Sequence, residues 1–318
     1  MKTILCLLFL GNCLCVRAQI AASNQNAQIQ SVIQPFIRDW KITLEVVDEN
    51  GQPVVGAKAS VGNSIGKLEM SGLTDTNGIF IAAHHDAIEE VDIYAGKNGY
   101  YSFQESYHLM RGRNHEFLNS TQTLVLKKII KPIPMYAKTI RTHVPDVDKP
   151  IGYDLMVGDW VGPYGHGIKS DFLFAAHFSK PTTDESDFTL TVSFPNHGDG
   201  IQDYISPTYY LGSQGSALRS NEEAPTNNYQ LNWIQTDNRG PGHPVETNRD
   251  LNRNYYFRVR TKVDDNGNIV SAHYGKIYGD FMTFTYYLNP TPNSRNVEFD
   301  PKQNLMTNLK PDEGVSAP

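Results

Sequence analysis

The sequence predicts an all-β protein in which a small β-sandwich is followed by a second, larger β-sandwich or jelly-roll-like domain. Apolar and polar residues alternate in segment after segment, as in WKITLEV at Trp40–Val46 and DFTLTVSF at Asp187–Phe194. Asn-Gly pairs and other turn signals separate these segments at short intervals. No segment keeps a 3.6-residue apolar period over the length of a helix, so no helices are expected.

Residues 1–18 have the layout of a secretory signal peptide. Lys2 supplies a positive charge near the start, and Ile4–Leu14 is an apolar segment that is too short to span a bilayer. Val16 and Ala18 lie at the positions that a signal peptidase reads, which predicts cleavage before Gln19. The segment therefore predicts a protein that is secreted or periplasmic.

All three cysteines, Cys6, Cys13 and Cys15, lie inside that segment. The mature chain then has no disulfide although it folds in an oxidising compartment, so its apolar core has to stabilise it alone. A cysteine-free secreted chain of this size is more typical of bacteria than of animals. Residues 19–38 are rich in Gln, Asn, Ala and Ser, and they carry few large apolar groups, which predicts a disordered lead-in.

Residues 39–130 are predicted to form the first sandwich. Trp40, Ile42, Leu44 and Val46 fall on one face of its opening strand. The turns DENG and TDTNG follow the pattern D-x-N-G, in which the Asn-Gly pair supplies the positive φ of a tight turn. Each such turn is followed directly by a strand, so hairpin turns rather than calcium loops are expected.

Three stretches of this first domain follow a recognisable order of strands and turns. They are VVDENGQPVVGAKASV (Val46–Val61), GLTDTNGIFIA (Gly72–Ala82) and IYAGKNGYYSF (Ile93–Phe103). In this order they resemble the carboxypeptidase regulatory-like domain, which has a transthyretin-like β-sandwich fold. That domain is a scaffold in its relatives and has no catalytic residues to carry over. The resemblance implies a fold and no peptidase activity.

The prolines of KPIPMYAKTI predict a linker over residues 131–150, and residues 151–305 are predicted to form the second β-rich domain. The pair Asn266-Gly267 marks the tip of a hairpin in it. This half resembles secreted bacterial proteins of no known activity through GYDLMVGDWVGPYG (Gly152–Gly165) and YLNPTPNSRNVEFDPKQNL (Tyr287–Leu305). The resemblance implies no activity.

The run Tyr287–Leu305 is predicted to be a strap that packs Phe299 and Leu305 against the second domain. Its prolines end the preceding strand, because proline cannot donate to a β-ladder. Val297 and Phe299 then alternate with polar residues in the manner of a short edge segment. Residues 306–318 are polar and are predicted to form a disordered tail.

The charge balance argues against two classes of partner. The chain has 28 Lys and Arg against 34 Asp and Glu, for a net charge of −6, and no basic cluster. Nucleic acids and anionic membranes attract basic surfaces, so neither is expected as a partner. Beyond the signal peptide no stretch is apolar enough to span a bilayer, so no membrane insertion is expected after cleavage.

The sequence contains no recognised catalytic or metal-binding motif. It lacks a G-x-S-x-G elbow, and SIGK at Ser64–Lys67 has the S-x-x-K spacing without the SDN and KTG partners. The ten histidines include HHD at His84–Asp86 and NHGD at Asn196–Asp199, but none has the spacing of a metal-ligand motif. No catalytic residue, metal or cofactor is therefore predicted.

The most site-like stretch is GDWVGPYGHGIKSD (Gly158–Asp171). On one loop shaped by Gly and Pro it places Asp159, Trp160, Tyr164, His166 and Asp171. Aromatic faces suit the C–H faces of sugar rings, and carboxylates suit their hydroxyls. The alternative is that Trp160 and Tyr164 fill the core of the second domain and the glycines form turns.

These observations favour a secreted, non-catalytic binding or surface-interaction protein that recognises a glycan or another envelope protein. One alternative is a secreted hydrolase that acts on polysaccharide or peptide through the second domain. Another is a purely structural envelope module. An exposed aromatic groove on the second domain would favour binding, whereas a deep pocket with converging carboxylates or histidines would favour a hydrolase.

Overall fold

A computed structural model describes residues 37–63, 68–109, 119–147, 149–182, 184–205, 215–240, 245–250 and 252–318. Within these ranges the chain forms twenty β-strands and no helix, which confirms the predicted all-β, multi-sandwich fold. The predicted signal peptide, almost all of the lead-in and the SIGK segment lie outside the described residues. The chain divides into two compact units, which are Met1–Ala95 with Ser106–Val125, and Gly96–Glu105 with Leu126–Pro318.

Seven strands run through the first unit and its borders. They are β1 (Arg38–Asp48), β2 (Lys58–Asn63), β3 (Leu68–Leu73), β4 (Ile79–Asp86), β5 (Glu90–Gly96), β6 (Phe103–His108) and β7 (Ser120–Leu126). One sheet has the order β4-β1-β7, and in another the strands follow the order β6-β5-β2-β3. The sequence places the core side chains of β1 correctly, because Trp40, Ile42, Leu44 and Val46 are all buried.

Two turns of the first unit are closed by side chains. The Asp75 carboxylate accepts the backbone N–H groups of Asn77 and Ile79, and Gly78 has a φ of +76°. The buried Thr74 hydroxyl donates to the carbonyl of Val54 and accepts the N–H of Ala57. These bonds fix the hairpin predicted from TDTNG in the manner of an Asx turn.

The second unit is a sandwich of two six-stranded sheets. The first sheet has the order β10-β9-β11-β12-β15-β16 and the second has the order β13-β17-β18-β19-β8-β20. Their strands are β8 (Ile133–Arg141), β9 (Ile151–Asp154), β10 (Asp159–Trp160), β11 (Phe172–Ser179), β12 (Ser186–Ser193), β13 (Gly200–Ile205), β15 (Asn232–Arg239), β16 (Glu246–Thr247), β17 (Arg253–Val263), β18 (Ile269–Asp280), β19 (Thr283–Leu288) and β20 (Phe299–Asn304). A short strand β14 (Gly215–Ser216) pairs with Phe103 and Gln104.

An aromatic core fills the space between these two sheets. Phe172 and Phe174 from one sheet meet Phe257 and Phe284 from the other, together with Phe281 from the turn between β18 and β19, and all five are buried. Their rings pack mostly edge to face, with the centroids of Phe172 and Phe257 5.1 Å apart. This geometry is favourable for aromatic pairs and contributes beyond the buried area. The Asn266-Gly267 hairpin joins β17 and β18 as predicted, with φ +80° at Gly267.

The segment predicted as a linker over residues 131–150 instead contains a strand inside the second sheet. β8 pairs antiparallel with β19 and parallel with β20. Pro134 is tolerated because the ladder with β19 begins after it, at Tyr136 opposite Leu288. The prolines therefore mark the start of a strand rather than a flexible connection.

The run Tyr287–Leu305 covers the other face of this second sheet. Val297 and Phe299 are fully buried, and Phe299 packs against Tyr287 with 5.2 Å between the ring centroids. Leu305, which was expected to pack as well, is 38% exposed. The run is thus anchored through Phe299 and not through Leu305.

A buried carboxylate holds the middle of the run in place. Glu298 is 0% exposed, and its oxygens accept the N–H groups of Ile130 and Lys131 and the hydroxyl of Tyr101. The Tyr101 hydroxyl lies 2.8 Å from Oε1, and burial together with this carboxylate raises the tyrosine pKa. The carboxylate is therefore fully used as a hydrogen-bond acceptor inside the second unit.

The structure differs from the sequence expectation at residues 306–318, which were predicted to be disordered. Glu313 accepts the backbone N–H of Thr139 in β8 at 2.9 Å, and its side chain pairs with Lys138. The Tyr287 hydroxyl donates to the carbonyl of Ala317 at 3.2 Å. The polar composition of this segment predicted disorder. The segment is nevertheless attached to the second unit, because its backbone carbonyls and the charged side chain of Glu313 form the bonds.

Candidate functional site

The loop between β9 and β11, which carries the predicted site, is tied at both ends by Asp154. This carboxylate is 2% exposed. Its Oδ1 accepts the N–H groups of Met156 and Val157, and its Oδ2 accepts those of Ile168 and Lys169. Burial alone would raise the Asp154 pKa, but these N–H donors and Arg260 outweigh it, so the pKa lies below its usual value.

Arg260 bridges Asp154 to Asp171 beneath the loop. Its Nε lies 2.7 Å from Asp171 Oδ1, and its Nη2 lies 2.8 Å from Asp171 Oδ2 and 2.9 Å from Asp154 Oδ1. Asp171 is 0% exposed and also accepts the N–H of Leu155. The loop therefore rests on a buried ion-pair network whose hydrogen-bonding groups are largely paired with one another.

A backbone irregularity brings Arg260 to this position. Its φ is +55°, and the β17–β18 ladder shifts register between Val259 and Lys262. Such a bulge points a side chain in a different direction from the one that the regular alternation of a strand would give it. The left-handed conformation is unfavourable for arginine, so it persists because the surrounding ion pairs and the ladder determine it.

Asp159 closes the tip of the loop. Its Oδ1 accepts the N–H of Trp160 at 2.8 Å, and its Oδ2 accepts the N–H of His166 at 2.8 Å. The His166 ring is 95% exposed, and its Nδ1 lies 3.0 Å from the same oxygen. A side chain at Gly167 would collide with the carbonyl of Asp159, 2.7 Å from the Cβ position, so this close approach requires glycine.

Trp160 stands at the edge of the aromatic core with part of its ring accessible. It packs edge-on against Tyr153 at 5.2 Å and against Phe174 at 5.5 Å, measured between ring centroids. It is half-buried rather than enclosed. Rigid neighbours therefore fix the indole while leaving part of it exposed.

A cleft of about 330 Å³ opens beside Trp160. This size lies in the range of roughly 300–1,000 Å³ that is typical of small-molecule sites. It is lined by strand β8, the start of the loop and the C-terminal segment, through Lys138, Thr139, Ile140, Arg141, Tyr153, Gly158, Asp159, Trp160, Lys310, Asp312 and Glu313. All of these residues belong to the second unit.

Several charged groups of the cleft are paired with one another. Lys138 donates to the carbonyl of Gly158 at 2.9 Å and lies 3.2 Å from Glu313 Oε1. Glu313 also lies 3.9 Å from the Lys310 ammonium group. Burial tends to raise the Glu313 pKa, but the N–H of Lys310 and the Lys138 ammonium group reverse this and lower it. The carboxylate is therefore held in its charged form.

The structure distributes the five predicted site residues over three roles. Asp159 and Trp160 line the cleft. Tyr164, which is 37% exposed, and His166 lie on the loop outside the cleft lining, and the Tyr164 hydroxyl donates to Asp146 at 2.8 Å. Asp171 is fully buried under the loop, so it supports the loop and cannot contact a ligand.

Most of the residues that line the cleft could not be predicted from the sequence. Lys138 and Arg141 lie in the predicted linker, and Lys310, Asp312 and Glu313 lie in the predicted tail. Strand β8 is joined to the start of the loop by the bond from Lys138 to the Gly158 carbonyl, and to the C-terminal segment by the bond from Thr139 to Glu313. No local motif marks such a site, because its residues are assembled from three distant parts of the chain.

No protein-family model matches the chain, and no curated protein matches it. Among solved structures, one similarity is to a 3-chlorocatechol 1,2-dioxygenase from Rhodococcus opacus, with 15% identity and a TM-score of 0.25. It covers 29% of this chain and 60% of the dioxygenase, so the chain spans less than two thirds of that enzyme. Catechol 1,2-dioxygenase variants from Acinetobacter radioresistens are covered over 55% of their length.

Two further neighbours are all-β bacterial proteins. One is a candidate membrane-associated protein of unknown function from Bacteroides fragilis, with 9% identity, a TM-score of 0.23, and coverage of 81% of this chain and 99% of that one. The other is a candidate carbohydrate binding protein from Bacteroides uniformis, with 10% identity, a TM-score of 0.19, and coverage of 81% and 99%. At these TM-scores the similarities carry no argument about function.

The described residues show neither a helical membrane span nor a cluster of metal ligands. The described residues contain no helix that is long and apolar enough to cross a membrane. Their His, Cys, Asp and Glu side chains form no group of three or more that could hold a metal ion.

Proposed function

We propose that this chain is a secreted or periplasmic binding protein without catalytic activity, and that the cleft beside Trp160 holds a saccharide. The observation that carries the proposal is the half-buried Trp160 at the edge of a cleft whose other walls are largely polar and charged. The C–H face of a sugar ring packs well on an indole, and its hydroxyls need hydrogen-bonding partners around the ring. The cleft presents an indole face and hydrogen-bonding groups next to each other.

The rigidity of the loop supports this function. The Asp154–Arg260–Asp171 network and the bonds of Asp159 hold the loop in one conformation before any ligand arrives. Binding to such a surface loses little conformational freedom, which favours affinity.

Polar groups of the cleft are also available. Neither the Tyr153 hydroxyl nor the Trp160 indole N–H forms a hydrogen bond with another described residue, and both residues line the cleft. Sugar hydroxyls can accept from either group, so these two residues would orient a ring that packs beside the indole.

A glycan-array screen of the purified protein followed by calorimetry tests the proposal. Trp160→Ala should weaken binding of the array's best ligand at least about tenfold, or about 1.4 kcal/mol. Trp233→Ala is the matched control, because Trp233 is another partly buried tryptophan packed on the same core but outside the cleft lining. Both variants are checked for folding by thermal unfolding.

Equal losses in the two variants would show that a general loss of packing is responsible and would contradict the proposal. A blank array would also contradict it. If a parallel pull-down from envelope extract then captured a protein through the same Trp160-dependent surface, an envelope protein would replace the saccharide as the ligand.

A further inference from the structure

One cation of the cleft differs from the others in having no partner among the described residues. Lys138 is engaged by Gly158 and Glu313. The Arg141 guanidinium, by contrast, forms no hydrogen bond or ion pair with another described residue, and the residue is exposed on the cleft wall. Its five N–H donors are therefore available to a ligand.

The backbone of Arg141 is well fixed. The residue is the last of β8, and it pairs with Thr283 of β19. A planar guanidinium on a rigid strand suits bidentate binding of a carboxylate, which an ammonium group cannot reproduce. Arg141 therefore has N–H donors that no described residue accepts, and its backbone is held by strand pairing.

The same wall already stabilises a carboxylate supplied by the chain itself. Glu313 reaches into the cleft from the C-terminal segment, pairs with Lys138 at 3.2 Å, and accepts the N–H of Lys310 at 3.1 Å. This side of the cleft therefore provides an environment in which a negative charge is favourable.

The acidic residues of the cleft oppose this preference only partly. Asp159 is occupied by the N–H groups of Trp160 and His166 and by the His166 ring. Asp312 is exposed and lies outside any strand, where water and salt screen its charge. Among the described residues of the cleft, Arg141 is therefore the cation that lies in a strand and has no hydrogen-bond or ion-pair partner.

We propose that the cleft selects saccharides that carry a carboxylate, and that Arg141 is the residue that determines this specificity. The inference rests on the proposed saccharide-binding function. The sugar ring packs beside Trp160 while its carboxylate accepts two hydrogen bonds from the Arg141 guanidinium. Glu313 keeps Lys138 neutralised, so it limits how strongly the cleft attracts the anionic ligand.

The test compares tri-galacturonate with neutral galactotriose by calorimetry at low ionic strength and neutral pH. The acidic probe should bind at least about tenfold more tightly than the neutral one, and added salt should reduce that difference. Arg141→Gln should lower the affinity for the acidic probe much more than that for the neutral probe, so that the two affinities become similar. Arg141→Lys should restore only part of the preference, because lysine lacks the planar fork.

Glu313→Gln is a second variant, and it should change the affinity for the acidic probe in the opposite direction. It removes the charge that neutralises Lys138, so it should tighten binding of the acidic probe relative to that of galactotriose. A merely structural role of the C-terminal segment would weaken both probes instead. A sulfated galactotriose included in the series tells a carboxylate preference from a general preference for anions.

The outcomes separate the two proposals. If both probes bind equally and Trp160→Ala abolishes both, the saccharide function stands and the carboxylate specificity is overturned. If Arg141→Gln weakens both probes to the same extent, Arg141 does not determine specificity. If neither probe nor any array glycan binds, the proposed function itself fails, and the specificity fails with it.

Discussion

At the residue scale, Arg260 holds the loop between β9 and β11 in place. It is the counter-ion of two carboxylates, Asp154 at 2% exposure and Asp171 at 0%. Such a buried group contributes little net stability compared with an apolar substitute, but removing one partner leaves uncompensated charge. The network therefore acts mainly by fixing the position of the loop.

Replacing Arg260 by Leu should destabilise the second unit by about 3–5 kcal/mol, since two buried carboxylates would lose their partner. Denaturant unfolding measures this change. The matched test is the double variant Arg260→Leu with Asp171→Asn, which should recover part of the loss because one buried charge is removed. A double variant as unstable as the sum of the two single changes would contradict the network.

At the element scale, the run Tyr287–Leu305 is a structural strap. It starts in β19, covers one face of the second sheet through Val297 and Phe299, and returns to β8 as β20. Glu298 ties it to Ile130 and Lys131 through two backbone N–H groups. The same sheet is thus buried on both faces, which explains why β17–β19 are so rich in aromatic residues.

Within the strap, Phe299→Ala should cost about 3–5 kcal/mol of unfolding free energy, as for a fully buried aromatic residue. Leu305→Ala is the control from the same run, and it should change stability by less than about 0.5 kcal/mol because Leu305 is 38% exposed. Thermal and denaturant unfolding of both variants gives the comparison. Equal effects would show that burial of Phe299 is not what anchors the strap.

At the scale of the whole molecule, no disulfide is expected to contribute to stability, so the buried side chains have to supply it. Each unit has its own set of buried side chains, such as Ile42 and Leu44 in the first and Phe257 and Phe284 in the second. The three cysteines lie in the predicted signal peptide. After cleavage no cross-link would be available to constrain the unfolded chain.

For the exported protein, mass spectrometry should find Gln19 as the first residue and no reactive thiol. The unfolding temperature should then be the same with and without dithiothreitol, because no disulfide contributes to stability. A retained Met1, or a fall in unfolding temperature on reduction, would contradict the predicted processing. A cytoplasmically expressed chain that starts at Met1 serves as the thiol-containing control.

Much of the fold could be predicted from the sequence, because strand signals are local. Alternation identified the buried face of β1, and Asn-Gly pairs marked the hairpins at Gly78 and Gly267. The positions of β8 and of the C-terminal segment could not be predicted, since their pairing partners lie far away in sequence. Proline and polar composition pointed to a linker and a tail, but long-range pairing overrode these local preferences.

The candidate site shows the same division between local and long-range information. The sequence by itself determined the all-β class, the turns, and the loop that carries Asp159 and Trp160, because each depends on neighbouring residues. Only the tertiary structure decided that Asp171 is a buried support bound to Arg260 and that Arg141 and Glu313 join Trp160 in one cleft. Those groups meet through strand pairing and a β-bulge between distant segments, and such contacts leave no pattern in the local sequence.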